Sequence, residues 1–212
     1  MAFQDKTLEI IKNFASINQG LVFKPGNRLR TSSVLKNILA SATIPDEIPK
    51  EFAIYDLNAF LSVLSLYDDP QITFNDNHFL ISSGKSKIKY FYSNPAVVVQ
   101  PPAKDLEFTD LKATFVLTAA SWQQIQKAAS VLKLEKLSIH NGGLRATGSN
   151  DNPNTYDVDV EVDGDVGAPV FVKIENVRLL PGDYNVEVYG RAVKFNSTTE
   201  EGLSYLVSLE SE

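Results

Sequence analysis

Few residues in this 212-residue chain are of a type and spacing that support catalysis. The two histidines, His78 in FNDNHF and His140 in SIHNGG, fall at hairpin-like turns, and neither has a second histidine close in sequence. A metal site built on either would have to gather carboxylates from distant segments, so exposed turn histidines are the simpler reading. Asp157, Asp159, Glu161 and Asp163 alternate with Val158, Val160 and Val162. A period of two lines the carboxylates along one strand face, as a cation site or, more simply, as a solvated or ion-paired surface. Gly84-Lys85-Ser86 looks like the end of a phosphate-binding loop, but Phe79 stands where G-x-x-x-x-G-K-[ST] needs its first glycine. No G-x-S-x-G elbow, H-E-x-x-H pair or EF-hand loop occurs. Asn196-Ser197-Thr198 matches a glycosylation sequon, without the secretory context that would give it meaning. These residues describe a non-enzyme with no cofactor.

Composition narrows the class further. With 43% hydrophobic and 22% charged residues, the chain can bury a substantial core and is not disordered. No apolar run approaches the roughly 18 residues of a membrane span, and MAFQDKTLEIIKNF lacks the basic-then-apolar layout of a signal peptide. The absence of cysteine excludes disulfides, iron–sulfur clusters and thiolate zinc sites, and fits a reducing cytoplasm. A net charge of −6 argues against a wholly basic nucleic-acid coat, though not against one basic face.

Two segments carry strong helical periodicity. In Asp5–Ile17, Leu8, Ile11, Phe14 and Ala15 share one face, and Lys6, Glu9, Lys12, Asn13 and Ser16 the other. In Thr118–Lys133, Trp122, Ile125, Ala128, Ala129 and Leu132 point inward, Thr118 is the cap, and the polar arc has no carboxylate. Shorter helices are expected over Asp56–Leu66, capped by Asp56, and over Lys173–Leu180, ended by Pro181-Gly182. Most of the remainder reads as strands: Gly20–Phe23, Arg28–Thr31, Phe52–Tyr55, Gln71–Phe74, His78–Ser82, Lys87–Tyr92, Ala113–Leu117, Lys136–His140, Leu144–Thr147, Tyr156–Val162, Tyr184–Tyr189, Ala192–Phe195 and Leu203–Leu209.

The domain organisation is 1–94, a connecting loop over 95–110, and 111–212. Prolines at 95, 101 and 102 make the loop extended, and its apolar trio Val97, Val98 and Val99 is expected to lie against something. The two halves resemble each other. Ile11 aligns with Ile125 and Ile72 with Val186, both 114 positions apart, a period that signals a duplicated domain and not a solenoid. Each copy is then an α+β unit with two helices on one face of an antiparallel sheet.

KNFASINQG, FAIYDLNAFLSVLSL, the VVVQPP linker and LPGDYNVEVYGRAVKF resemble the DNA polymerase sliding clamps of T-even-type bacteriophages, within the PCNA-like DNA clamp superfamily. The resemblance runs in order through most of the chain. It implies a DNA clamp fold with two clamp domains per chain, three chains closing head to tail into a homotrimeric six-domain ring. It implies a processivity factor that encircles double-stranded DNA without sequence preference and tethers the replicative polymerase. An ATP-driven clamp loader, late-transcription factors and the cytoplasm of the infected bacterial host complete the setting it implies.

The ring hypothesis assigns residues. A face that holds DNA without gripping it should be polar and modestly basic, and Lys6, Lys12, Lys127, Lys133, Lys173 and Arg178 are the candidates. Lys85, Lys87 and Lys89, with Phe91 on the same strand, offer one edge, and Asp157, Asp159 and Glu161 an oppositely charged one. The resemblance places these two segments at the subunit junction, while pairing within one chain or simple solvation is the other reading. It also places a pocket for the polymerase's C-terminal peptide at Val97, Val98, Val99, Pro181, Tyr205, Leu206 and Val207. The alternative from another class is a structural or assembly protein of the virion that uses paired sheet edges.

Overall fold

Helix α1 spans Asp5–Ile17, the range its periodicity predicts, with Thr7, Ile10, Ile11, Phe14 and Ile17 buried and Leu8 and Ala15 flanking that stripe. The computed structural model to which it belongs describes residues 2–149 and 151–210. By its contacts the chain divides into two units, Met1–Pro101 and Pro102–Glu212.

In the first unit α1 is followed by β1 (Leu21–Phe23), β2 (Gly26–Ser32), β3 (Ile38–Ile48), β4 (Phe52–Ile54), α2 (Leu57–Leu64), β5 (Gln71–Phe74), β6 (His78–Ser83) and β7 (Ser86–Phe91). β1 pairs with β4, β2 with β3, and β5, β6 and β7 form a meander, all antiparallel. α1 packs on β3 and α2. Much of the core is aromatic: Phe52 stacks on Phe23 at 4.6 Å between centroids and meets Phe79 edge-on at 4.9 Å, while Phe60 stacks on Phe79 at 5.2 Å.

The second unit holds β8 (Leu111–Leu117), α3 (Ala119–Leu132), β9 (Lys136–His140), β10 (Gly143–Thr147), β11 (Thr155–Val158), β12 (Asp163–Gly164), β13 (Val170–Lys173), β14 (Tyr184–Tyr189), β15 (Ala192–Ser197) and β16 (Ser204–Ser208). Its pairing plan repeats that of the first. β9–β13 corresponds to β1–β4, β10–β11 to β2–β3, and β14–β15–β16 to β5–β6–β7. α3 packs on β10 and β11.

The elements depart from expectation in several places, two of them with the most consequence here. Lys173–Leu180 is not a helix: Lys173 ends β13, and only the 3-10 turn Ile174–Asn176 follows. The backbone of Leu180 finds its partners elsewhere, donating to the Tyr205 hydroxyl at 3.2 Å and accepting from that of Tyr184 at 2.7 Å. With Val177 and Leu180 both buried, an extended strap satisfies this stretch as well as a helix would. Among the described residues the second unit therefore carries one α-helix where two were expected. The second failure is β3, the longest strand, which is absent from the strands expected. Its alternation is strict, with Ile38, Ala40, Ala42, Ile44, Asp46 and Ile48 buried, but alanines weaken its β propensity and Pro45 argues against a central strand. The register shift between Gly26 and Arg28 leaves Pro45 opposite no partner on β2.

Asp46 has a reason to be inside. The N-cap of α1, Gln4, makes no side-chain cap bond. Instead the buried Asp46 carboxylate accepts from the Gln4 N–H at 2.9 Å and from the Thr7 hydroxyl at 2.6 Å, capping the helix from a distant strand. The second unit solves the same problem with Thr118, which accepts from the Ser121 N–H, and Asp183, which accepts from the Ala119 N–H at 2.7 Å. Asp46→Ala strands a fully buried Thr7 hydroxyl along with the helix end. It should lower stability by about 2–3 kcal/mol, read as a lower denaturant midpoint, whereas the exposed Asp5→Ala should stay within about 0.5 kcal/mol of the parent.

Candidate functional site

The oppositely charged segments sit at sheet edges. β7 is an outer strand of β5–β6–β7, and β11 is an outer strand of β11–β10–β9–β13. On β7 Lys87, Lys89 and Phe91 are exposed, while Ile88 and Tyr90 turn toward the unit. Lys85 is not on the strand. It lies in the two-residue turn Gly84-Lys85, closed by the Ser83–Ser86 pair and made possible by Gly84 at φ 56°. The acidic side is also shorter than its alternation suggests. β11 ends at Val158, opposite Leu144, and Gly143, the one remaining residue of β10, pairs only with His140 of β9. Gly143 is required there, since a Cβ would lie 2.5 Å from the Val158 carbonyl.

Asp157 therefore stays on the edge strand, bound to Arg145 at 2.6 Å, while Asp159 and Glu161 line an open groove of about 810 Å3 with Thr114, Val116, Ser121 and Glu187. Both histidines serve hairpins. The Nδ1 of His140 accepts from the Gly142 N–H at 3.1 Å, and His78 lies between Asn75 and Asn77 with its ring 5.4 Å from that of Phe91. Among the described residues no group of three or more His, Asp or Glu is arranged to hold a metal ion.

The basic candidates separate into three groups. Lys12 on α1 and Lys127 on α3 are exposed opposite the buried stripes of their helices, and Lys133 is the exposed C-cap of α3, at φ 55°. Lys6 reaches Glu9 at 3.0 Å, and Lys173 reaches Glu210 at 3.7 Å. Arg178, on the strap and not on a helix, donates from Nε to the Glu175 carbonyl at 2.9 Å. α2 presents no charged side chain. Its cap Asp56 accepts from the Ala59 N–H and the Gln19 amide, and these bonds hold its carboxyl below the usual range.

The linker trio divides. Val97 ends the 3-10 turn Pro95–Val97 and is 57% exposed, whereas Val98 is buried on Val22 and Ala53, with Gly20 leaving it room. The Asn18 amide, buried after the end of α1, donates to both the Ser32 carbonyl at 2.9 Å and the Val99 carbonyl at 3.0 Å. Asn18 thus fastens the linker to the root of the β2–β3 hairpin. Sequence reasoning missed it, although a lone amide directly following an apolar helix stripe was its signal. In the second unit Tyr205 and Val207 are buried and cannot offer a surface, because β16 turns them inward; Tyr205 spends its hydroxyl on Leu180. Leu206, on the opposite face of β16, is half-buried, and Pro181 is exposed.

A duplicated α+β unit, each copy with a capped first helix on an antiparallel sheet, defines the DNA clamp class. The fold matches PCNA from Thermococcus kodakaraensis with a TM-score of 0.71 over 99% of both chains at 14% identity. It matches A. fulgidus PCNA, in a structure with the C-terminal region of FEN-1 bound, with a TM-score of 0.67 over 97% of this chain and 95% of that one at 12% identity. Residues 4–99 match the family described as DNA polymerase processivity factor. The sliding clamp of Vibrio phage KVP40 is 32% identical over 200 residues, 89% of this chain and 90% of that protein, and the sliding clamp of Enterobacteria phage T4 is 30% identical over 100% and 98%. The chain belongs to the family of T4-type phage sliding clamps, polymerase processivity factors that are not enzymes.

The division of the linker is testable. Val98→Asp puts a carboxylate among Val22 and Ala53 and should cost several kcal/mol of stability, on the order of 3 or more, whereas Val97→Asp should leave the melting temperature near the parent's. Equal melting temperatures for the two variants would contradict the packing.

Proposed function

We propose that three copies of the chain close head to tail into a ring around duplex DNA, with β7 of one copy pairing with β11 of the next. The observation that carries this reading is the pair of unlike sheet edges, one presenting Lys87 and Lys89 and the other Asp157 followed by Asp159 and Glu161. Unlike edges make a heterologous contact, which generates a ring when the rotation closes, and like charge on each edge disfavours self-pairing. Phe91, exposed on the same face as the lysines, adds apolar area to the junction.

In this ring Lys12, Lys127 and Lys133 supply most of the sequence-independent attraction to phosphate. Lys6, Lys173 and Arg178 contribute less, being already engaged within the chain. A chain of net charge −6 that keeps cations on helix surfaces suits a ring that slides better than one that grips. The polymerase's C-terminal peptide docks through apolar side chains at the linker, where Val97 is the exposed member, and Pro181 and Leu206 are the accessible residues of the second unit. The ring is opened by an ATP-driven loader and serves late transcription as well as replication, in the cytoplasm of the infected host. No helix among the described residues is long and apolar enough to cross a membrane.

Light scattering after size exclusion should give three times the chain mass of 23.4 kDa. Lys87→Glu/Lys89→Glu should dissociate at concentrations where the parent stays trimeric, and high salt should partly restore the trimer by screening. A charge-reversed chain that remains fully trimeric on dilution contradicts this junction. Lys12→Ala/Lys127→Ala should keep the trimer but shorten its retention on circular duplex DNA, the salt slope falling by about 0.9 for each phosphate no longer neutralised. Unchanged retention would remove these lysines from the DNA face.

A further inference from the structure

The sheet β11–β10–β9–β13 has one face committed to the core and one that is not. Leu137, Ile139, Leu144, Ala146 and Val172 are buried on the first. α3 lies on that side, where its Gln124 accepts from the hydroxyl of Tyr156, the residue opposite Ala146. The pairing registers place Asp157, Arg145, Ser138 and Phe171 in one row across the other face. Thr147 and Lys136 stand opposite each other in the next row. His140 and Pro169 lie two residues along from Ser138 and Phe171, and so share that face. Here the sheet forms an open cleft of about 520 Å3, lined by Ser138, His140, Arg145, Thr147, Pro169 and Phe171. Among the described residues no carboxylate lines it.

The polar groups of this cleft are left unsatisfied by the chain itself. Ser138 is only 5% exposed, yet among the described residues its hydroxyl has no hydrogen-bond partner, and that of Thr147 has none either. The Nδ1 of His140 accepts from the Gly142 N–H, so the ring proton is on Nε2, a donor buried without an acceptor. Arg145 gives its Nε to Asp157 at 2.6 Å, and its Nη groups bind nothing among the described residues. Lys136, exposed beside Thr147, adds a second cation. Buried polar groups are normally paired, so several unpaired ones around one cleft point to oxygen atoms from outside the chain. Water serves such groups singly. Two hydroxyls and two cations, with one carboxylate beside them, fit a doubly charged acceptor better. A carboxylate offers two oxygens in one plane, whereas a phosphate monoester offers three around a tetrahedron, enough for donors that come from two rows of a sheet.

We propose that this cleft binds a phosphate monoester, its oxygens accepting from Ser138, Thr147 and the Nη groups of Arg145, and its ester group lying on Pro169 and Phe171. Lys136 attracts the dianion from the neighbouring row. Asp157 draws on the same guanidinium from the other side, so its charge opposes the ligand. The site goes beyond the clamp reading and does not rest on ring closure.

The test is calorimetric titration of the intact protein, in buffer free of phosphate, with phenyl phosphate, inorganic phosphate and benzoate. Phenyl phosphate should bind saturably, one per chain. Inorganic phosphate should bind about tenfold or more weakly, for want of contact with Pro169 and Phe171. Benzoate, which has the ring but only a carboxylate, should not saturate in the same range. Arg145→Gln and Ser138→Ala should each weaken phenyl phosphate by about tenfold or more. Ser138→Ala should do so at an unchanged melting temperature, because the hydroxyl bonds nothing in the free chain. Asp157→Asn should tighten binding, an effect that mere loss of structure would not produce. Benzoate binding as tightly as phenyl phosphate would overturn the phosphate assignment, and equal affinity for the ester and inorganic phosphate would overturn the apolar wall. No saturable binding of any probe, or binding unchanged in both Arg145→Gln and Ser138→Ala, would overturn the site. Light scattering of the same samples reads assembly separately, so these failures leave the clamp reading standing.

Discussion

A β-strand at the edge of a sheet carries a row of N–H and C=O groups that only another strand or water can satisfy, and this chain leaves β7 and β11 in that position. Monomeric proteins blunt such edges by bulges, prolines, inward-turned charges or exposed lysines. Here the two edges carry charges of opposite sign on their exposed positions, Lys87 and Lys89 on one and Asp157 on the other. Like charges on each edge oppose pairing with its own kind, and unlike charges favour pairing with the other. A contact between different edges then propagates around an axis, which is the requirement for closing a ring from identical chains.

Both units repeat one pairing plan, but the two edges are not equivalent places in it, since β7 corresponds to β16 and β11 to β3; the copies have diverged in which strand presents its edge. The same divergence appears in the anchoring of the first helix of each unit. Asp46 reaches α1 from β3, and Asp183 reaches α3 from the segment before β14. In both cases a carboxylate at a helix N-terminus satisfies donors that the helix itself cannot, and joins the helix to a strand far away in sequence. The helices are thereby held with their apolar stripes on the sheets and Lys12 and Lys127 facing away from them. A strongly basic surface is avoided: α1 balances Asp5 and Glu9 against its two lysines, and α3 carries a single charge within its span.

Much of this was legible in the sequence where periodicity was strong and local. The bounds of α1, the Asp56 and Thr118 caps and the 114-residue repeat all rest on spacing alone, and the structure reproduces them. What escaped was decided by distant partners. β3 alternates strictly, yet its alanines, Pro45 and a buried aspartate each argue against a strand until the register shift and the cap are known. Lys173–Leu180 has helical spacing, but the hydroxyls of Tyr184 and Tyr205 satisfy Leu180 in an extended form. The acidic edge is truncated at Val158, where pairing with β10 stops at Leu144, which no periodicity within Tyr156–Val162 can reveal. Burial of Val98, Tyr205 and Val207 likewise depends on which face of a strand or linker turns inward, so a family-level pocket assignment runs ahead of the residues that carry it.

Ring closure through unlike edges is the central claim, and amide hydrogen exchange on the assembled protein reads it at the atoms concerned. The outward-facing N–H groups of β7 and β11 have no partner strand among the described residues. If the two edges meet, both should exchange slowly at concentrations where the assembly is intact, and both should become fast together on dilution, while the inner strands β6 and β10 remain protected. Edges that exchange freely while light scattering still reports a trimer would contradict the account.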